Sequence, residues 1–351
     1  MKHITRESLN NSAYNVQQKS GIIQQRQSSN IIELDPELQR AVIFDINHSE
    51  YGISSPDKKN GRFNNIYFQP SEFGILDKYS IIKELYKVQL SPTIVSLTSH
   101  VETNQHVIKK SIMKEKLVND VQINYARQEC SIQSQLKHEN VVELFDYTEN
   151  DKEIVLLMEY CNDANYFEQK IEETLTPIMN QDKLQSYAND ILQGLSYLHN
   201  SGIVHSDMKI QNVLRHKPDE EEDDEGELPI VKLCDFGLSH LMSNEHNGKA
   251  LMVEKCGTQG YIAPEIQQKN SLVGPEIDLW AFGVMLYEMC TAYKPTKLLN
   301  YRYGSGPIPY RERDWRKHNK NIIDLINSCL EIDPKKRIST DEALQHPWFC
   351  E

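Results

Sequence analysis

The first folded part of the chain has the pattern of paired β-strands. Two β-rich runs, “YSIIKELY” and “TIVSLTS”, fall between residues 79 and 99, and turn residues “VETNQ” (101–105) follow them. Two further apolar runs, “VVELFDY” and “EIVLLMEY”, flank the polar sequence “TEND” (148–151). Short β-rich runs separated by turn residues indicate hairpins, so we predict a small sheet between about residues 78 and 160.

Helical spacing begins inside this region and dominates the second half of the chain. Residues 118–136 contain no Gly or Pro and predict one long helix, with apolar positions at Val121, Ala126, Ile132 and Leu136. Residues 182–200 place an apolar stripe on one face of a second helix, at Leu184, Ala188, Ile191, Leu195 and Leu198.

Three further helices are predicted toward the end of the chain. Residues 275–290 are apolar nearly all round, which predicts a buried central helix. Residues 321–330 and 339–349 predict two more, the second opened by Ser339 or Thr340 with Glu342 completing the cap. Strands followed by helices predict an α+β protein with a small β-rich lobe and a larger helical lobe.

Residues 1 to about 70 have a different composition. They are rich in Asn, Gln and Ser and contain few apolar residues. Such a segment buries too little surface to offset the entropy of ordering, so we predict a mostly disordered extension over 1–75. A docking or targeting peptide within it and a solvated tail without a specific role both remain open.

Charge is concentrated in one place. The net charge of the 351 residues is −13, and seven consecutive acids, residues 219–225, supply much of it. The sequence has no basic footprint for nucleic acid. We predict an acidic insert over 217–228, which is either a solvated loop or a contact for a basic protein partner.

Cysteine usage and the first residues indicate the compartment. The seven cysteines are scattered without a CxxC pair, and “MKHITRESLN” lacks the apolar core of a signal peptide. The longest apolar runs, such as “LWAFGVMLY” (279–287), are too short to cross a bilayer. These features predict a cytoplasmic protein without a membrane span, and a nuclear location is not excluded.

Five short motifs carry a specific resemblance. “HSDMKIQN” (205–212), “DFG” (235–237), “APE” (263–265), “DLWAFG” (278–283) and “DPKKRIS” (333–339) occur in this order. Together they resemble a eukaryotic protein kinase domain of the Ser/Thr type, with a C-terminal lobe similar to calcium/calmodulin-dependent kinases. The resemblance implies a bilobal kinase domain over 76–351, with an N-lobe at about 78–160 and a C-lobe at about 161–350.

The resemblance also implies roles in phosphoryl transfer from ATP to protein hydroxyls. Asp207 would accept the proton of the substrate hydroxyl, and Lys209 would neutralise charge on the transferring phosphoryl group. Asn212 and Asp235 would hold Mg²⁺ between the phosphates. ATP and Mg²⁺ are therefore the expected cosubstrate and cofactor.

Two adjacent lysines compete for the phosphate-binding position on the third strand. Val107 and Lys109 share a strand face, so we predict that Val107 covers the adenine while Lys109 reaches the α- and β-phosphates. Lys110 would then point away. Glu129 lies nine residues before His138, the family spacing for the helix glutamate, and is the predicted partner of Lys109.

The remaining predicted nucleotide contacts follow from the resemblance. Ile94 would contact the nucleotide from the second strand, and Leu214 would form the floor of the adenine pocket. In the hinge “LLMEYC”, Met158 would be the gatekeeper, and the backbones of Glu159 and Cys161 would bind the adenine edge. Structural roles are implied for Asp278 as an anchor of the catalytic loop and for a Glu265–Arg337 ion pair.

Two departures from the family pattern stand out. No glycine occurs between Gly74 and Gly194, so the usual glycine-rich phosphate loop is replaced by residues 86–92, in one of two registers. Each lost amide–phosphate bond is worth about 1.5–3 kcal/mol, which predicts weakened ATP binding. Ser206 stands where the family usually has an arginine that binds a phosphorylated activation loop.

Three functions are compatible with this pattern. An active protein Ser/Thr kinase is favoured, because the residues that set the reaction are all present: Lys109, Glu129, Asp207, Asn212 and Asp235. A pseudokinase scaffold that acts through protein–protein interaction is the alternative. A small-molecule phosphotransferase is disfavoured by Lys209 and by the “CGTQGYIAPE” segment, which typically shapes a peptide-docking shelf.

Overall fold

The structure of the chain is a computed structural model. It describes residues 73–217, 228–243, 246, 248–252, 257–266, 271–295, 308 and 310–350. Almost all of the predicted 1–75 extension and the acidic run at 219–225 lie outside the described residues. The described chain opens with a 3₁₀ turn, Phe73–Lys78.

An antiparallel five-stranded sheet forms the first lobe. Its spatial order is β1-β2-β3-β5-β4. The strands are β1 (Tyr79–Lys87), β2 (Thr93–His100), β3 (His106–Met113), β4 (Leu144–Glu149) and β5 (Glu153–Glu159). The turn predicted at residues 101–105 joins β2 to β3, and the one predicted near residue 150 joins β4 to β5, so both hairpins are confirmed.

One helix packs on this sheet, as predicted. Helix α1 (Asp120–Gln133) begins at Asn119, whose side chain accepts a hydrogen bond from the Gln122 amide. Its Ala126 and Cys130 pack on strand residues in a small apolar core. This packing positions the side chains of α1 beside β3, where the site is built.

The second lobe is helical. Helix α2 (Gln181–Asn200) buries the whole predicted stripe, from Leu184 to Leu198. Helix α3 (Glu276–Thr291) is buried on every side, which explains its uniformly apolar sequence. The remaining helices are α4 (Glu312–Trp315), α5 (Lys320–Cys329) and α6 (Thr340–Leu344), and a capping box between Ser339 and Glu342 opens α6 as predicted.

Short antiparallel strand pairs join segments that follow β5 in the chain. Strand β6 (Ile203–Val204) pairs with β9 (His240–Leu241), and β7 (Val213–His216) pairs with β8 (Ile230–Leu233). A third pair joins β10 (Ala250–Met252) to β11 (Ser271–Val273). The predicted α+β bilobal kinase fold is confirmed. Within the described residues, no helix has the length and apolarity needed to cross a membrane.

Candidate active site

A partly buried lysine joins the two lobes, and it is Lys110. Its Nζ lies 2.6 Å from Glu129 Oε1 on α1 and 3.2 Å from Asp235 Oδ1. The prediction of Lys109 as this lysine was therefore wrong, although the predicted glutamate is its partner. The side chains of Lys110 and Glu129 are 14% and 5% exposed, so the pair is shielded from solvent screening.

The strand register explains why Lys109 was the wrong choice. It also affects the predicted nucleotide contacts of Val107 and Ile94. Cross-strand pairs place Val95 opposite Lys110 and Leu97 opposite Ile108. Side chains alternate between the faces of a strand, so Ile108 and Val95 share the face of Lys110. Val107 and Ile94 lie on the opposite face with Lys109, so their predicted contacts with the nucleotide were wrong as well. A shift of one residue exchanges the faces of the whole strand.

The catalytic loop orients Asp207 through both carboxylate oxygens. Oδ1 accepts hydrogen bonds from the Thr258 amide (2.9 Å) and hydroxyl (2.7 Å). Oδ2 lies 3.2 Å from Lys209 Nζ and accepts from Asn212 Nδ2 at 3.2 Å. The Asp207 side chain is 2% exposed. A buried carboxylate held from two sides has a fixed direction, which is what a group that receives a substrate proton needs.

Helix α3 anchors the backbone of the catalytic loop. Asp278 accepts hydrogen bonds from the backbone amides of His205 (2.8 Å) and Ser206 (2.9 Å), as predicted for this acid. Ser206 has a left-handed backbone with φ of 67°, a conformation that costs non-glycine residues free energy and persists where surrounding bonds impose it. The Asp278 carboxylate imposes it here.

Ser206 faces a histidine that the sequence reasoning missed. Its Oγ lies 3.0 Å from Nδ1 of His240 on β9. Burial lowers the pKa of His240 to about 4, so the ring is neutral near pH 7. The site of the usual arginine thus holds a neutral hydrogen bond between the catalytic loop and the segment after DFG. No spacing rule connects residues 206 and 240 in the sequence.

Asn212 and Asp235 supply hard oxygen ligands. Asn212 donates through Nδ2 to the Asp207 carbonyl at 2.8 Å, which fixes the orientation of its amide. Asp235 has a left-handed backbone with φ of 66°, and its side chain is 22% exposed. One amide oxygen and one carboxylate fit Mg²⁺, which proteins commonly bind through one or two side chains together with substrate phosphates. Among the described residues there is no cluster of three His, Cys, Asp or Glu side chains that could hold a metal.

The hinge residues lie at the end of β5. Met158 pairs with Ile108, on the face that carries Lys110. Glu159 ends the strand and its side chain lies 3.0 Å from Lys232 Nζ. Cys161 is buried, and burial raises the pKa of its thiol to about 12, so it remains an unreactive thiol. Leu214 lies on β7, two residues beyond Asn212, and is partly exposed.

Gln133 is a second residue that sequence reasoning missed. It lies one helical turn beyond Glu129 and is 1% exposed. Its Nε2 donates to the Val142 carbonyl at 3.1 Å and contacts Met158 Sδ at 3.5 Å. This amide therefore ties α1 to the gatekeeper region. The spacing of four residues between Glu129 and Gln133, which is one helical turn, was the signal available in the sequence.

The glycine-free loop is closed by backbone bonds and by one lysine. The Ser91 amide donates to the Val88 carbonyl at 3.1 Å, which forms a tight turn. Lys116 Nζ donates to the carbonyls of Gln89 (2.9 Å) and Ser91 (3.1 Å). In a trans peptide the carbonyl and the following N–H point in opposite directions, so fixing the Gln89 carbonyl also fixes the Leu90 N–H. Lys87 lies on the surface, 2.8 Å from Glu84.

The ion pair predicted in the C-lobe is also present. Arg337 donates to Glu265 through two nitrogens, at 2.5 and 3.0 Å. Its Nη1 also donates to the Glu276 carbonyl. Arg337 thereby attaches the APE segment to the start of α3.

Comparison with known proteins assigns the family. The model of the protein kinase domain matches residues 92–349, nearly three quarters of the chain. Calcium/calmodulin-dependent protein kinase cmkB of Emericella nidulans is 29% identical, with coverage of 73% of this chain and 62% of the relative. Calcium/calmodulin-dependent protein kinase type IV of Mus musculus is 31% identical (69% and 48%). DNA damage response protein kinase DUN1 of Saccharomyces cerevisiae is 29% identical (78% and 55%). The matches span about half to three fifths of these relatives, and the chain belongs to the protein kinase family.

Proposed function

We propose that this chain is an active protein serine/threonine kinase that transfers the γ-phosphoryl group of ATP to protein hydroxyls. One observation carries the proposal: the ion pair between Lys110 and Glu129 coexists with the fully bonded Asp207. These two arrangements belong to different lobes and depend on different elements. Their simultaneous presence means that the catalytic groups are assembled without further rearrangement.

Each of the residues in these two arrangements has a definite task in the reaction. Lys110, directed by Glu129, binds the α- and β-phosphates of ATP. Asp207 accepts the proton of the substrate hydroxyl and aligns its oxygen with the γ-phosphorus. Lys209, 3.2 Å from Asp207, stabilises negative charge on the transferring group.

Mg²⁺ would be the cofactor, and Asn212 and Asp235 would hold it. Bound there, it would neutralise the negative charge of the phosphates. Asp235 also contacts Lys110, so the same carboxylate links the metal position to the phosphate-binding lysine. The adenine would lie between Ile108 and Leu214 at the hinge, where the backbones of Glu159 and Cys161 offer donors and acceptors.

The named relatives support a Ser/Thr kinase over a non-catalytic scaffold. A scaffold has no need of a buried lysine–glutamate pair and a bonded catalytic aspartate at once. The free cysteines among the described residues fit a reducing compartment such as the cytoplasm. Protein substrates are the expected partners, while a basic partner for the acidic insert remains a proposal that concerns residues outside the described ranges.

Turnover by the full chain tests the proposal directly. The purified protein is incubated with Mg²⁺, ATP and a generic Ser/Thr protein substrate, and compared with Asp207→Asn. We expect the variant to lose on the order of 10²–10⁴-fold in activity, because it lacks the proton acceptor. Equal turnover in the two proteins would favour the scaffold. Binding of Mg·ATP by both proteins shows that the variant is folded.

A further inference from the structure

A lysine of the protein's own chain lies against an acidic cluster beside the catalytic loop, formed by Glu172, Glu288 and Tyr261. Lys294 Nζ lies 3.2 Å from Glu172 Oε1 and 3.3 Å from Glu288 Oε1. It also lies 4.6 Å from the centroid of the Tyr261 ring. Two carboxylates and an aromatic face are the groups that bind an organic cation, and here the cation is internal.

The acidic cluster is connected to both segments that hold the catalytic aspartate. Gln211, two residues beyond Lys209, donates through Nε2 to Glu172. Tyr261 belongs to the same segment as Thr258, which binds Asp207, and its hydroxyl donates to Glu288 at 2.5 Å. We therefore expect a peptide that presents its hydroxyl to Asp207 to pass close to this acidic cluster.

The negative groups of the acidic cluster are held by hydrogen bonds and ion pairs. The side chain of Glu288 is 5% exposed and that of Lys294 is 17% exposed. The buried Gln211 Oε1 has no hydrogen-bond partner within the described part of the chain. Burial and the neighbouring Glu172 and Glu173 raise the pKa of Glu168, which reports dense negative charge along the π-helical turn Glu168–Glu173.

We infer that Lys294 is a specificity-determining residue, which occupies a cation subsite formed by Glu172, Glu288 and Tyr261. A substrate arginine at this subsite would have to displace Lys294, so it contributes little to recognition. Removal of the ammonium leaves two carboxylates that a substrate guanidinium can bind. The inference rests on the proposed kinase activity and predicts that the wild-type chain does not select basic substrates.

A peptide series tests the inference. A neutral Ser peptide is compared with five versions that carry one arginine at one of the five positions before the Ser. For the wild-type chain we expect each arginine to change kcat/KM by less than about threefold. For Lys294→Met, which keeps the apolar stem over Tyr261, we expect a gain of about tenfold at one position, or about 1.4 kcal/mol.

Two further variants isolate the charge. Lys294→Arg keeps a cation in the acidic cluster and should reproduce the wild-type ratios. Lys336→Met removes one positive charge from an exposed residue of the C-lobe and should also leave the ratios unchanged. If Lys294→Met does not fold, Lys294→Gln takes its place. A strong arginine preference in the wild-type chain, or unchanged ratios in the neutral variants, would overturn the inference.

A binding measurement separates this inference from the proposed activity. Fluorescence anisotropy gives the Kd of the neutral and arginine peptides for Asp207→Asn with and without Lys294→Met. Tighter binding of one arginine peptide only when Lys294 is replaced supports the inference even if no chain shows turnover. Absence of turnover in the wild type counts against the proposed function, and equal Kd ratios count against the role of Lys294.

Discussion

The catalytic loop and the nucleotide loop depart from the kinase pattern to different degrees. In the catalytic loop, Asp207, Lys209 and Asn212 are all present and bonded to one another. In the nucleotide loop every glycine is absent, and residues 88–91 form a turn tied to Lys116. Both loops are proposed to act in the same reaction, yet only the catalytic loop has the usual residues of the family.

The difference follows from what each loop contributes. The catalytic loop acts through side-chain groups, and no other residue type supplies the proton acceptor or the phosphate-neutralising charge in the same place. The nucleotide loop acts through backbone N–H groups, whose direction depends on conformation. Glycine is one way to reach a conformation that brings amides close to phosphates, and external bonds to the carbonyls are another. Side-chain chemistry is thus less replaceable than backbone position.

The two lysines of β3 provide the sharpest test of the site and the largest expected effect. Lys110→Met removes the charge beside Glu129 and Asp235, and we expect kcat/KM to fall on the order of 10²–10³-fold. Lys109→Met removes the same charge from the opposite strand face and should change kcat/KM by less than about threefold. Steady-state kinetics at several ATP concentrations measures both. A larger loss in Lys109→Met would mean that the face assignment is wrong.

These lysines also show how far the sequence carries the fold and the site. Hairpins, helices and the catalytic loop were predictable, because periodicity and short motifs encode them locally. The choice between Lys109 and Lys110 depends on which face of β3 turns toward the site, and each face of the strand carries one lysine and two apolar residues. Only the contact of Lys110 with α1 and with the DFG segment decides it.

Contacts between segments that are distant in the chain could not be predicted from the sequence, for the same reason. Lys116 meets the nucleotide loop across about 25 residues, and Lys294 meets Glu172 across 122. Ser206 follows β6 and His240 lies on β9. These two strands pair although 34 residues separate Ser206 from His240. Each of these residues reads as an ordinary surface or core position until the chain is folded.

The nucleotide loop itself is tested through Lys116. Lys116→Met releases the carbonyls of Gln89 and Ser91, so the turn loses its fixed orientation. We expect the KM for ATP to rise about tenfold with little change in kcat, since bonds to a charged donor are worth about 1.5–3 kcal/mol. Lys87→Met is the control, because its exposed pair with Glu84 contributes little. Equal KM values in the wild type and Lys116→Met would show that the turn holds without the lysine.

The link between the catalytic loop and β9 predicts a dependence of stability on pH. The folded chain keeps His240 neutral down to about pH 4, whereas the unfolded chain protonates it below about 6.5. Falling pH therefore favours unfolding in this window, and the contribution of His240 is fully present only above pH 6.5. We expect His240 to account for about 1 kcal/mol of the loss between pH 7 and 5, allowing for the partial exposure of its ring.

Urea unfolding at pH 7 and 5 measures this contribution. His240→Asn keeps a side-chain oxygen near the position of Nδ1 but does not titrate, so its stability should fall less than that of the wild type. His138→Asn is a useful control, because burial also lowers the pKa of His138 but the ring lies outside the catalytic loop. Parallel losses in the wild type and His240→Asn would refute the assignment.

The smallest expected effect concerns phosphorylation of the segment after DFG. An arginine before Asp207 would couple a loop phosphate to the catalytic loop, but Ser206 carries no charge and bonds to His240 instead. Ser239 is buried and donates to the His205 carbonyl at 3.2 Å, so a kinase cannot reach its hydroxyl in this conformation. Phosphatase treatment of the active protein should therefore lower kcat/KM by less than about threefold, and Ser243→Ala should match the untreated chain. Heat-inactivated phosphatase is the control. A loss of about tenfold, or 1.4 kcal/mol of transition-state stabilisation, would mean that another basic residue has taken the place of the arginine.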